Sequence, residues 1–249
     1  MLNIVIPMAG AGSRFAKVGY QDPKPLIPVH GQPMIKVVID NLRPSGEHRF
    51  IFICQEQHVQ AYDLRPKLQQ WAPGCSVVTL DGLTDGAART VLATQHLIDN
   101  SHPLMIANSD QFIDSDIDSY LRFQDEQNLD GLIMTMTAHD PKWSFAETDA
   151  QGLVQRVVEK EVISDIATVG IYNFKRGQDF VRAAHQMIAQ DMKVNGEFYV
   201  APVYNLLIAE QAKIGVYGIG TDGQGMHGIG TPADLDKFLA DPVSASLKG

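Results

Sequence analysis

The stretch Leu2-Asn3-Ile4-Val5-Ile6-Pro7-Met8 runs directly into Ala9-Gly10-Ala11-Gly12-Ser13-Arg14-Phe15. The first seven residues are apolar almost throughout rather than alternating. That is the pattern of a strand buried on both faces, as in a parallel sheet covered by helices. The glycines behind it let the backbone approach a ligand closely, and successive N–H groups can form an anion nest. Arg14 adds a permanent forked charge suited to phosphate oxygens. Working outward, residues 50–54, 76–80 and 103–107 are short apolar runs that read as strands. Residues 34–42, 57–71 and 87–98 between them carry helical periodicity. Such alternation builds a right-handed α/β sheet, whose ligands belong at the carboxyl ends of its strands.

The second half reads differently. Residues 131–138, 153–159 and 167–174 look like strands without intervening helices, so part of the sheet is expected to be antiparallel. Residues 178–190 and 199–210 look helical, 213–218 is a last strand and 232–239 a last helix. The tail after Asp241 reads as frayed. The predicted class is α/β: a mixed, mainly parallel sheet with helices on both faces, in a single domain over residues 1–249.

Composition narrows the function. The 249 residues are 45% hydrophobic and 20% charged, an ordinary globular balance. The 20 Lys+Arg against 29 Asp+Glu leave a net charge of −9. That argues against a nucleic-acid binder, which needs a basic footprint, but leaves room for a local basic pocket. Cys54 and Cys75 are the only cysteines, too few for a disulfide framework or a zinc cluster. The apolar start reaches Pro7 and Gly10 too soon for a signal peptide. No apolar run approaches the roughly 20 residues of a membrane span. The expectation is a cytoplasmic protein with no membrane or nucleic-acid partner.

The Gly-rich loop is not a P-loop, because no Gly-Lys-Ser/Thr follows, and Phe15 stands where a dinucleotide fingerprint needs its third glycine. Its significance comes from Asp22-Pro23-Lys24-Pro25-Leu26, where two prolines fix the backbone beside a lysine. Asn108-Ser109-Asp110 sits at the carboxyl end of the strand over 103–107, and a carboxylate there can hold Mg²⁺. Asp114, Asp116 and Asp118 fail the test for a calcium loop, since Ser119 replaces the required glycine, and read as helix capping. Glu159 and Lys160 end a strand pattern. Gly170 breaks another, as a bulge or as a point where a ligand comes close.

These motifs together resemble the nucleotidyltransferases that make nucleotide-activated sugars, also called sugar-nucleotide pyrophosphorylases. The residues that carry the resemblance are Gly10-Ala11-Gly12-Ser13-Arg14, Pro23-Lys24-Pro25-Leu26, Asp85-Gly86-Ala87-Ala88, Ser109-Asp110, Val158-Glu159-Lys160 and Gly170-Ile171-Tyr172. It implies a Rossmann-like fold, similar to the glycosyltransferase A fold. Residues 1–110 would form mainly the nucleotide-binding half and 111–249 mainly the acceptor-binding half. In such enzymes a sugar-1-phosphate oxygen attacks the α-phosphate of a nucleoside triphosphate and pyrophosphate leaves.

By resemblance, Met8, Ala9, Gly10, Ala11 and Gly12 with Arg14 hold the triphosphate, and Lys24 bridges the α-phosphate and the acceptor phosphate. Asp110 binds Mg²⁺. Gly86 and Ala87 present backbone to the base, with Gly86 giving room for the ring. Asp81 stands near the position where thymidine or uridine enzymes carry a glutamine, a hint toward CTP over UTP or dTTP. Glu159 takes acceptor hydroxyls, Lys160 lies near the phosphate, and Gly170 and Glu197 line the acceptor site. The segment Asn195-Gly196-Glu197-Phe198-Tyr199 is similar to that of capsule- and lipopolysaccharide-type members. One departure stands out: many members carry a second metal-binding aspartate at the position of Gly228, with Asp222 or Glu197 as candidate substitutes here. The resemblance ends near Phe238, before the β-helix of bifunctional members. Two alternatives stay open. One is a cytidylyltransferase acting on a phosphorylated non-sugar capsule precursor. The other is a glycosyltransferase of related fold, against which Asn108 replaces the first acid of the expected metal motif. The assembly state is open, a homo-oligomer among the options.

Overall fold

The computed structural model describes residues 1–247. Strand β1 (Leu2–Pro7) leads through the Gly loop to a one-turn helix α1 (Ser13–Ala16), a 3-10 turn over Lys24–Leu26 and a ribbon of β2 (Pro28–Val29) and β3 (Gln32–Pro33). Then follow α2 (Met34–Leu42), β4 (His48–Gln55), α3 (Glu56–Tyr62), α4 (Leu64–Trp71), β5 (Ser76–Leu80), α5 (Ala87–Leu92), α6 (Gln95–Ile98) and β6 (Leu104–Ala107). The second half runs β7 (Gln111–Ile113), α7 (Ile117–Glu126), β8 (Gly131–Thr137), β9 (Ser144–Thr148), β10 (Val154–Glu159) and β11 (Ile166–Phe174). It ends with α8 (Gly177–Ala189), α9 (Val203–Ala209), β12 (Ile214–Asp222), β13 (Gly225–Gly228) and α10 (Pro232–Ala240).

One mixed sheet runs in the order β5-β4-β1-β6-β11-β8-β12-β13-β7, with β9 and β10 attached beside β11. The first four strands are parallel, with Val5 level with both Ile51 and Ile106. β11 then runs antiparallel to both β6 and β8. Strand β1 explains the unbroken apolar run. Ile4 and Ile6 face the core that holds Phe50, Phe52 and α2, while Val5 faces a second core with Ile51, Ile106 and α8. All three are fully buried, each worth about 1.5–3 kcal/mol of apolar transfer.

The structure departs from the sequence reading in a few places. The helix expected over 57–71 breaks at Asp63, whose φ of 49° ends α3 and starts α4. The helix over 87–98 breaks at Thr94, a buried residue whose hydroxyl donates to the Val91 carbonyl. Side-chain bonding of this kind competes with helix continuation. The helix over 199–210 starts only at Val203, after Pro202. Strands β7, β9 and β13 escape a periodicity reading because they are short and mixed. Strand β7 is held from outside: the Asn41 amide on α2 donates to the Ile113 carbonyl and accepts from its N–H, both at 2.8 Å.

The tail is not frayed over 242–247. It forms a 3-10 turn, Pro242–Leu247. Ser244 is fully buried with its hydroxyl 2.7 Å from His30 Nε2, and Gln32 donates to the Leu247 carbonyl at 2.9 Å. Residues 248–249 of that tail lie outside the described residues.

Candidate active site

The carboxyl ends of β1 and β6, with the Thr168–Tyr172 part of antiparallel β11, open into a cleft of three adjoining cavities that share Asn108. The largest, about 410 Å³, is lined by Gly10, Ala11, Lys24, Gly86, Asp110 and Glu197 among others. The Gly loop reaches it because the buried Gln55 amide donates to the Ala9 carbonyl at 2.8 Å. Met8 is outside the cavity lining. Its side chain is in the core and its N–H donates to the Ile53 carbonyl. Gly12 has φ 61°, and a side chain there would touch the Lys24 Cβ. The loop and the lysine therefore pack as one unit.

Lys24 and Asp110 meet although 86 residues separate them, with Nζ 2.9 Å from Oδ2 and both side chains about one quarter exposed. Asp110 is clamped from behind. Its carbonyl accepts from the Ile229 N–H, and a Cβ on Gly230 would lie 2.2 Å from its Oδ2. Gly230 was not among the residues expected from the sequence; its signal there is the late Gly230-Thr231 pair, two residues after Gly228. A Cβ on Gly228 would meet only Asp234, at an ordinary 3.8 Å. Arg14 lines a cavity of about 230 Å³ with Asp110, Gln111, Lys142 and Asp234, and forms no ion pair among the described residues.

Asp222 is not brought to Asp110. It lies in a small pocket with His227 and Asp234, and its carboxylate faces Lys142 Nζ at 3.5 Å. Asp234 borders the Asp110 cavity, its carboxylate accepting from the Thr231 hydroxyl at 2.6 Å. Among the described residues no three His, Cys, Asp or Glu side chains are grouped to hold a metal. Asp110 lines two of the cavities, beside Glu197 in one and Asp234 in the other. This fits Mg²⁺, which usually keeps several waters and is held by one or two carboxylates plus substrate phosphates.

The base side also differs from the reading. Asp81 is exposed and outside the cavity lining, where Leu83, Thr84 and Thr90 stand instead. Gly86 has φ 120°, and a Cβ there would lie 2.4 Å from the backbone N and O of Phe198. Its missing side chain makes room for that backbone, not for a base ring. The Phe198 N–H donates to the Asp85 carbonyl and its carbonyl accepts from Ala88. The two halves of the chain are joined here backbone to backbone, which places Glu197 and Tyr199 at the cleft.

A second cavity, about 270 Å³, is lined by Trp143, Ser144, Glu159, Tyr172 and Tyr199. Glu159 is 8% exposed. Burial pushes its carboxyl above the usual range, against the Ser144 hydroxyl that donates to it. The Asn205 amide of α9 pairs with both backbone groups of Val157 at 2.8 Å, fixing the strand that ends in Glu159. Lys160, with φ 58°, donates from its ammonium to the hydroxyl of the cavity-lining Tyr199, which raises its pKa, and is itself outside the cavity lining. Gly170 lies in the stretch of β11 where the register shifts, between Thr168 and Tyr172. A Cβ there would lie 2.1 Å from Asn108 Nδ2. The space is filled by that amide rather than left to a ligand, although Gly170 still borders the cavity.

A nucleotidyl transferase family model matches residues 4–197. The chain belongs to this nucleotidyl transferase family. It is 21% identical, over its full length, to the bifunctional protein GlmU of Methanocaldococcus jannaschii, covering 57% of that protein. It is 24% identical over 70% of its length to the mannose-1-phosphate guanylyltransferase catalytic subunit beta of Danio rerio, covering 49% of it. The chain thus spans about half the length of these curated relatives. The solved nucleoside-diphosphate-sugar pyrophosphorylase of Vibrio cholerae RC9 superposes with a TM-score of 0.79 at 29% identity, over 96% of this chain and all of that one. Among the described residues no helix is long and apolar enough to cross a membrane.

Proposed function

We propose that this protein transfers a nucleoside monophosphate from a nucleoside triphosphate to a sugar-1-phosphate, releasing pyrophosphate. The observation that carries this is the meeting of Lys24 and Asp110 at 2.9 Å beside the Gly loop and Arg14. A permanent cation, a movable ammonium and one carboxylate at the ends of parallel strands suit a triphosphate. The triphosphate sits against Gly10, Ala11 and Gly12, with Arg14 on its β- and γ-phosphates. Lys24 shares its charge between the α-phosphate and the incoming acceptor phosphate. An acceptor phosphate oxygen then forms a bond to the α-phosphorus as the bond to the bridging oxygen breaks, and pyrophosphate carries the electron pair away. Asp110 would hold Mg²⁺, which when bound supplies positive charge over the α-phosphate.

Glu159 accepts from acceptor hydroxyls, as the bidentate acceptor of the acceptor cavity. Glu197 borders the triphosphate side. Residues 1–110 serve mainly the nucleotide and 111–249 mainly the acceptor, within one domain. Leu83, Thr84 and Thr90 are uncharged, so base selection rests on hydroxyls and backbone. The products are precursors of cell-surface polysaccharide, in line with the resemblance of Asn195–Tyr199 to capsule-type members. The cytoplasm, where triphosphates are available, is the place for this reaction.

A thermal-shift panel with Mg²⁺ and each of ATP, GTP, CTP, UTP and dTTP tests the proposal. A triphosphate at 100 times its dissociation constant stabilises by about 2.7 kcal/mol, a rise of about 5–10 °C for a chain this size. The same triphosphate should then release pyrophosphate with one of a panel of sugar-1-phosphates. A shift only with nucleoside diphosphates would overturn the reading in favour of a glycosyltransferase.

A further inference from the structure

Lys142 borders both the cavity that holds Glu159 and the cavity that holds Asp110 and Arg14. An acceptor with its hydroxyls on Glu159 and its phosphate at Asp110 must cross this junction. Lys142 is about half exposed and its ion pairs are loose: 3.5 Å to Asp222 and 3.9 Å to Asp140. Its ammonium lies 4.7 Å from the centre of the Trp143 ring. Lys160, by contrast, is occupied by Tyr199. The junction also contains unused donors. Trp143 Nε1 and Gln111 Nε2 are both buried without a partner, and both residues line the Asp110 cavity. Gln111 is only 2% exposed. Buried donors are nearly always paired in folded proteins, so two in one cavity wall point to an oxygen-rich ligand.

We infer that Lys142, with the Gln111 and Trp143 donors behind it, binds the phosphate of the acceptor, and that Asp222 is a positioning residue for Lys142. This rests on the transferase reading above. The ammonium is a compact charge on a flexible stem, able to leave Asp222 for a phosphate dianion. Asp222 then keeps the lysine directed at the junction instead of binding metal.

Inorganic phosphate is the probe, titrated calorimetrically into wild type, K142A, K142R, K160A, D222A, D222E and R14A. K142A should weaken phosphate binding about 10- to 100-fold, the loss of one charge-assisted hydrogen bond. K142R should recover most of it, K160A should lose less than K142A, and D222A should lose a few-fold that D222E restores. Unchanged binding in K142A, a larger loss in K160A, or loss confined to R14A each overturns the inference, as does wild type that binds no phosphate. The triphosphate thermal shift separates the two readings. Retained in K142A while phosphate binding falls, it supports both. Absent from wild type, it removes the transferase reading. Present in wild type with unchanged phosphate binding in K142A, it removes only this inference.

Discussion

The two halves of this molecule assemble their parts of the cleft in different ways. In the first half, the Gly loop and Asp110 each follow a buried parallel strand within a few residues, β1 and β6, and Lys24 packs back against that loop at Gly12. In the second half, the contributions come from a bulge in β11, the end of β10, the turn before β9 and the joint at Phe198. A parallel strand ends where its ligand loop begins, so sequence position and site position coincide. An antiparallel, bulged region brings together residues whose neighbours in sequence say little about their neighbours in space.

The largest effect is expected in the first half. Lys24→Ala should lower turnover by about 10²–10³-fold, the usual cost of removing one preorganised charge from a transition state. Arg14→Ala should act in the same direction, with melting temperatures within a few degrees of wild type because both side chains lie at the cleft. Near-normal pyrophosphate release in both variants would remove the first half from the site altogether.

Glycines sharpen the contrast next. Gly230→Ala drives a methyl group into Asp110, and Gly86→Ala drives one into the Phe198 backbone at a φ of 120°. Gly86→Ala should cost about 2–4 kcal/mol, from backbone strain and the broken joint. Gly230→Ala should lose activity by displacing Asp110. Gly228→Ala, with ordinary contacts only, should do neither. Chemical denaturation with activity assays on the three variants checks this, and a damaging Gly228→Ala would contradict the geometry.

A smaller effect belongs to Glu159. Its folded pKa is raised by burial, so the folded chain holds this proton more tightly than the unfolded one. Such a carboxyl lowers stability at neutral pH, and the penalty fades as pH falls through its raised pKa. Glu159→Gln should therefore be at least as stable as wild type at pH 7 and lose that advantage toward pH 4, while weakening acceptor use. Melting curves across this range would show an advantage that widens on acidification if burial were not the cause.

The smallest effect concerns the docked tail. Ser244→Ala removes the hydroxyl contact with His30 and should cost about 0.5–1.5 kcal/mol, a fall of about 1–6 °C in melting temperature. No change would mean that the tail adds nothing to the β2–β3 ribbon it covers.

Much of the fold was legible because burial on two faces leaves an unmistakable mark. Ile4, Val5 and Ile6 could not be anything but a central strand. Met34–Leu42 carries its helix period without interruption. Strands β7, β9 and β13 were not legible, since three to five mixed residues become strands only when Asn41 or a neighbouring strand supplies their hydrogen bonds. Within the candidate site, Arg14 and Asp110 were readable from charge near strand ends, and Lys24 from the prolines on either side of it. Lys142, Trp143 and Gln111 were not, because nothing in His139-Asp140-Pro141-Lys142-Trp143 marks where that turn lands.

The amino-acid sequence by itself determined the layered α/β plan and the composition of the Gly loop that follows β1. Local backbone preference and burial act over a few residues and need no partner to be read. Only the tertiary structure decided which glycines are obligatory and which charges meet. It set Gly86 against Phe198, Gly230 against Asp110, and Asp222 against Lys142. Such contacts join residues 80 to 120 positions apart, and close packing across that separation, not any local pattern, determines them.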